Sequence, residues 1–268
     1  MDELLKKLQK YELSILDRLV QIFKEFDISY WIAYGTVLGA VRHKGFIPWD
    51  DDIDIYIDGN DYSKLIHIFL DRNNDINGLS LHDFKTIADY PFTFPKIIDN
   101  KTKLIEKRYS HTTYCCGVYI DIFPLYNVPD NPIFRRIDYF KKYLNYCIVE
   151  SHHCSLGLIK NPFKKMCTRI LGLMSKEKAQ LRLFKMYTRG ISKKSSHLSE
   201  PLIFKDSQIH FYNFFNGFEE LLFENNLYCG PKDVKEYLKN MYGDFMTLPP
   251  EDKRRSIHDF VKVEFYDK

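Results

Sequence analysis

Residues 35–57 read GTVLGAVRHKGFIPWDDDIDIYI, and they place aspartates at 50, 51, 52 and 54 behind an Arg-His-Lys run. From Asp52 the chain alternates acidic with apolar residues and then turns apolar through Ile57, which predicts a strand whose acidic edge emerges into a cleft. Period two puts Asp52 and Asp54 on one face of that strand. Neighbouring carboxylates repel each other, and a cation between them removes the conflict. Carboxylate oxygens completed by water and substrate phosphate suit Mg²⁺, with Mn²⁺ as the alternative ion, so phosphoryl transfer is the chemistry implied. The plainer alternative is a solvated turn over residues 50–52, with Asp54 capping a neighbour.

The segment upstream has its own logic. Tyr30-Trp31-Ile32-Ala33-Tyr34 reads as a buried strand, Gly35-Thr36 as a tight turn, and Val37 to Arg42 as a short helix with Thr36 near its N-cap. A helix start offers unpaired N–H groups and the positive end of the dipole, and Gly35 has no side chain to keep a phosphate away. Arg42 can grip phosphate oxygens or neutralise the helix C-terminus, and His43 is either a binding or a structural side chain. A third acid, Asp121, interrupts the apolar run Gly117 to Phe123, which Pro124 stops. An isolated buried carboxylate needs a metal or a partner, so Asp121 is expected to bind metal, to orient an attacking hydroxyl, or to pair with an arginine. Lys96, in an expected strand over 92–98, is a candidate phosphate contact, and His258 is either a further side chain of the cleft or, the preferred reading, a structural one.

The run with RHKGFIPWDDDID at its centre resembles the signature of the LicD family, whose members transfer phosphocholine or related phospho-alcohols onto surface glycans. Val118 to Pro124 is similar to the family's second acidic strand, and Tyr237-Leu238, Tyr242-Gly243-Asp244 and Pro249-Pro250 to its C-terminal element. The resemblance implies a core like that of the DNA polymerase β-type nucleotidyltransferases, a mixed sheet with a helical appendage. It further implies Gly35-Thr36 as the Gly-Ser/Thr turn, Asp52 and Asp54 as the metal pair and Asp121 as the third metal-binding and catalytic acid, beside which Arg42, His43 and Lys96 stand as substrate-side candidates on their own chemistry. The implied donor is a CDP-alcohol, CDP-choline first, and the implied acceptor a glycan or lipid-linked glycan of teichoic acid, lipopolysaccharide or capsule. Two other classes stay open: a nucleotidyltransferase using a nucleoside triphosphate, and a non-catalytic glycan-binding module. A P-loop kinase is disfavoured, because no G-x-x-x-x-G-K occurs.

Those residues need a scaffold, and the 268-residue chain is long enough to bury a large core. Leu5, Leu8, Ile15, Leu19, Ile22 and Phe26 recur at helical spacing and predict an N-terminal amphipathic helix. A helix is expected over 61–70, strands near 79–82, 92–98 and 103–106, helices over 134–153 and 176–189, and a last helix that Pro231 opens and Gly243 ends. Mixed strands and helices argue an α/β or α+β fold. The expected division is a catalytic core over 1–131, a helical basic region over 132–207, and a C-terminal element over 208–268 that packs back on the core.

Charge is nearly balanced at +3, but residues 160–194 hold eleven Lys or Arg and one acid, Glu177. Interleaved apolar residues make this segment amphipathic, fit either for an anionic membrane or polyanionic acceptor or for a solvated helix face. No nucleic-acid partner is expected. The six cysteines match no paired metal-ligand spacing and read as reduced thiols. No secretory signal or membrane-spanning stretch is recognised, so a cytoplasmic protein, at most at the inner face of the membrane, is expected. Tyr90, Tyr109, Tyr114, Tyr119 and Tyr126 lie near the motifs and could surround a quaternary ammonium, although most aromatic rings must be core.

Overall fold

Helix α1 (Glu3–Glu25) buries Leu8, Ile15, Leu19 and Ile22 along one stripe, as its periodicity requires. The computed structural model describes residues 3–107, 114–154, 159–201, 210–256 and 260–266. After α1 the chain runs through β1 (Tyr30–Ile32), α2 (Tyr34–Arg42), β2 (Asp54–Asp58) and α3 (Gly59–Leu70). Strands β3 (Leu79–His82), β4 (Lys96–Asp99), β5 (Thr102–Glu106) and β6 (Tyr119–Asn127) follow, and then helices α4 (Pro132–His153), α5 (Pro162–Leu171) and α6 (Lys176–Tyr187). The remainder is β7 (His197–Ser199), β8 (His210–Phe211), β9 (Phe218–Phe223), β10 (Asn226–Pro231), α7 (Val234–Tyr242) and β11 (Phe260–Phe265).

The main sheet has the order β1-β2-β6-β4-β3, with β7 and β8 extending it beyond the far end of β6. Only β2 and β6 run parallel among these neighbours, and α3 opens the crossover between them. Helix α1 packs on β6 and β4, and the β9–β10 hairpin lies against β1 and α2. Strand β11 pairs with β5, so the C-terminal strand returns to the region that follows β4. The sheet is mixed and carries helices, as the strand and helix signals require.

Several boundaries move for identifiable reasons. Helix α4 starts at Pro132 rather than 134, because Asn131 caps it by accepting from the N–H groups of Ile133 and Phe134 and proline fits a first turn. Pro231 ends β10 instead of opening a helix, and α7 starts three residues later, after Asp233 in the left-handed region. Strand β4 is shorter than expected, since residues 92–95 turn Phe92 and Phe94 into the core. Helix α5 and the β9–β10 hairpin have no counterpart among the expected elements.

Gly59, the first residue of α3, marks a close approach. A Cβ there would lie 2.1 Å from the Tyr187 carbonyl oxygen and 2.9 Å from the Gly190 nitrogen. Both are backbone atoms, so no side-chain rotation relieves the clash. Gly59→Ala is expected to cost about 1–3 kcal/mol by overpacking, read as a lower midpoint in urea; an unchanged midpoint would mean that the two segments do not press together.

Candidate active site

Three charged side chains stand in a row across the sheet. Asp54 on β2 is the register partner of Asp121 on parallel β6, and Asp121 is in turn the partner of Lys96 on antiparallel β4. Register partners share a face, so all three point the same way. Lys96 Nζ donates to Asp121 Oδ1 at 2.5 Å, and the ammonium lies 3.4 Å from the Tyr119 ring centroid and 4.4 Å from that of Phe92. Lys96 is 2% exposed. Its charge is thus directed at Asp121, a different use from the phosphate contact suggested by the sequence. Burial alone would push Lys96 down, but Asp121 and Glu106 hold it above the ordinary lysine range.

The start of β2 is clamped to α2. Ala33 N–H donates to the Asp54 carbonyl at 2.9 Å, and Asp54 N–H donates to Thr36 Oγ1 at 3.0 Å. Gly35 and Thr36 are therefore not a turn ahead of a helix; they lie inside its first turn, which opens at Tyr34. Tyr34 takes φ +42°, a conformation that costs on the order of 1–3 kcal/mol outside glycine. Ring packing against Tyr56 and Phe123, both at 5.3 Å, holds it there. The gap left by Gly35 is occupied by Asp50: a Cβ on Gly35 would be 2.5 Å from Asp50 Oδ2. An anion does sit by this uncapped helix start, and it is the protein's own carboxylate.

Asp52 lies just before β2 rather than within it, since pairing begins at Asp54. Asp50, Asp51 and Asp52 bring ligand oxygens within 4.8 Å of one another. A solvated turn is excluded for this loop, because Asp51 is buried and accepts a short hydrogen bond from Ser256 Oγ. Gln9 on α1 donates to the Asp50 carbonyl at 2.8 Å.

Glu12 is the residue that sequence reasoning missed. It occupies the buried stripe of α1 between Leu8 and Ile15, is 3% exposed, and its Oε2 has no hydrogen-bond partner among the described residues. The signal was present as the one acidic residue at an apolar helical spacing. Burial first, then Asp52, Asp51 and Asp50, raise its carboxyl well above the usual range. Asp54 is raised in the same way, by burial, then Asp52, Asp121 and Asp50, against the lowering effect of Lys96. Hard oxygen donors, mutual repulsion and an orphaned buried carboxylate oxygen fit a divalent cation of the Mg²⁺ type.

Arg42 and His43 form the rim. Arg42 Nε donates to His43 Nε2 at 3.0 Å, and Nη1 donates to the Phe245 carbonyl at 3.1 Å. Burial, and then the Arg42 charge, hold His43 below the ordinary histidine range, as accepting at Nε2 requires. The segment after α7 thereby reaches α2, and Arg254 lies over the Trp49 ring at 5.8 Å while donating to the Pro249 carbonyl. His258 and Tyr109 lie outside the described residues. Tyr90, Tyr114 and Tyr126 are packed among other rings, and Tyr119 faces Lys96.

Comparison with known proteins adds to this geometry. Over 262 residues the chain is 27% identical to the lipopolysaccharide cholinephosphotransferase LicD of Haemophilus influenzae, covering 95% of this chain and 96% of that protein. A 39-residue stretch is 41% identical to the human ribitol 5-phosphate transferase FKRP, 15% of this chain and 8% of that protein. A 37-residue stretch is 57% identical to an uncharacterized protein of Rickettsia prowazekii, 14% of each chain. The match to "LicD/FKTN/FKRP, nucleotidyltransferase domain" runs over residues 27–169 and takes in the whole Asp54–Asp121–Lys96 row with the helix start beside it, and the chain belongs to that family.

Proposed function

We propose that the protein is a phosphotransferase that moves a phospho-alcohol, phosphocholine first, from a CDP-activated donor to a hydroxyl of a cell-surface glycan or lipid-linked glycan precursor. The observation that carries this reading is the convergence of Asp54, Asp121, the 50–52 loop and Glu12 at one place on the sheet beside the start of α2. Similarity to a cholinephosphotransferase along the chain, and to a ribitol 5-phosphate transferase over a short stretch, supports the substrate class. The mixed sheet supports a nucleotidyltransferase-type core, with 1–131 as catalytic unit, 132–207 toward the acceptor, and 208–268 closing the donor side through the Arg42–Phe245 and Asp51–Ser256 contacts.

In this reading Asp52, Asp54 and Asp121 would hold Mg²⁺, which would supply positive charge against the donor phosphate and the leaving group. Asp121, oriented by Lys96, takes the proton of the acceptor hydroxyl as its oxygen bonds to the phosphorus bearing choline and the bond to CMP breaks. Gly35 makes the room in which Asp50 sits at the start of α2, Thr36 fixes Asp54 by accepting from its N–H, and Arg42 with neutral His43 binds donor phosphate at the rim.

Thermal melts with Mg²⁺ and CDP-choline, CDP-ribitol, CDP-glycerol or CTP test this reading. Selective, Mg²⁺-dependent stabilisation by one CDP-alcohol is expected, about 3 kcal/mol at a hundredfold excess over Kd. Stabilisation by CTP alone would point to nucleotide transfer, and no response to any of the four would remove the transferase reading.

A further inference from the structure

Helix α4 buries charged residues along with apolar ones and leaves other large apolar side chains outside. Its core side buries Asp138, Lys142 and Asn145 beside Tyr139, Ile148 and Val149: Lys142 donates to Ser199 Oγ at 3.0 Å and to the Glu200 carbonyl at 2.9 Å, and Asp138 pairs with the exposed Arg189 at 2.8 Å. Its outward side carries Ile133, Ile137 and Phe140 at i, i+4 and i+7, with Phe140 65% exposed. Helix α5 packs along α4, with Gly172 beside Ser151, and buries none of its own residues. It turns Phe163, Met166 and Ile170 outward at i, i+3 and i+7, and Leu173 beyond it is 88% exposed. Two neighbouring helices thus present apolar stripes to the outside. Isolated exposed apolar residues need no explanation, but a concentration of them on two contacting helices does.

The charge around that face identifies what covers it. Residues 132–173 hold eight Lys or Arg against two acids, Asp138 and Glu150, and Asp138 is buried in its ion pair. Arg136 and Lys141 flank the α4 stripe, and Lys164 and Arg169 flank that of α5, all four exposed. A second copy of the chain related by a two-fold axis would bring these like charges face to face. An anionic surface complements them, and an apolar stripe between cations on a helix is the pattern that lies in a lipid–water interface. Among the described residues no helix is long and apolar enough to cross a membrane.

We propose that the α4–α5 face docks on an anionic lipid bilayer, its apolar side chains entering the headgroup boundary and its cations meeting lipid phosphates. The inference stands apart from the transferase reading, because vesicle binding is read without turnover. The full-length protein is floated with vesicles of phosphatidylcholine alone and of phosphatidylcholine with phosphatidylglycerol. Binding to the anionic vesicles only, weakening as salt rises, is expected. The triple variant Phe140→Ser, Phe163→Ser, Ile170→Ser is expected to lower that binding at least about tenfold. The variant Lys164→Glu, Arg169→Glu is expected to remove the preference for anionic lipid. All five positions are exposed, so both variants should melt with the wild type, and the charge variant carries the test if the triple variant does not. Failure of the wild type to float with anionic vesicles, or equal flotation of the variants, would overturn the proposal. So would a concentration-dependent dimer in sedimentation velocity that the same substitutions dissolve, since a second copy would then cover the face.

Discussion

Asp54→Asn is expected to lower the rate of CMP release from a CDP-alcohol by about 10³-fold or more while raising the melting temperature of the metal-free protein. The two effects have one origin. Asp54 is buried, stands beside Asp121 in the sheet, and is pushed toward protonation first by burial and then by Asp52, Asp121 and Asp50. Replacing it with a neutral amide of the same shape removes that conflict, worth on the order of 1 kcal/mol or roughly 2–4 °C in Tm for a chain of this size. The same change removes a carboxylate from the proposed Mg²⁺ site, and with it transition-state charge stabilisation, a loss of about 4 kcal/mol or more at 1.4 kcal/mol per tenfold. Loss of function with gain of stability is the mark of a site held together against its own repulsion. A variant that kept its rate within tenfold, or that melted below the wild type without metal, would show that Asp54 is an ordinary structural carboxylate.

Lys96→Met is expected to be among the most destabilising single substitutions in the chain, by about 3–5 kcal/mol. Lys96 faces Asp121 at 2.5 Å with 2% exposure. Methionine fills similar volume against Tyr119 and Phe92 but leaves Asp121 buried near Asp54 without the cation. Adding Asp121→Asn to Lys96→Met should recover much of the loss, because the uncompensated charge is then gone. Urea unfolding of the wild type, the two single variants and the double variant measures the coupling directly. A cost for Lys96→Met below about 1 kcal/mol, or no recovery in the double variant, would mean that the pair does not hold the three-strand row together.

What the sequence by itself determined lies within single elements. The apolar period of α1, the acidic approach to β2 and the lone acid in β6 were all legible, because a helix repeats every 3.6 residues and a strand every two, and nothing distant is needed to see either. The family signature was legible for the same reason, as one contiguous run. Strand order was decided only by the tertiary structure. That β6 inserts between β2 and β4, and so sets Lys96 against Asp121 and Asp121 against Asp54, depends on pairing across long loops. The helical state of Gly35 and Thr36 was also hidden, because the partner that fixes Thr36 is the Asp54 N–H, eighteen residues away. The spacing of Glu12 puts it on the buried stripe of α1, but only packing of that helix over the sheet brings it to the aspartates. Which face of α4 the core takes was likewise hidden, since periodicity marks that a helix has two faces and not which one is buried; contacts of Asp138 with Arg189 and of Lys142 with Ser199 made that choice.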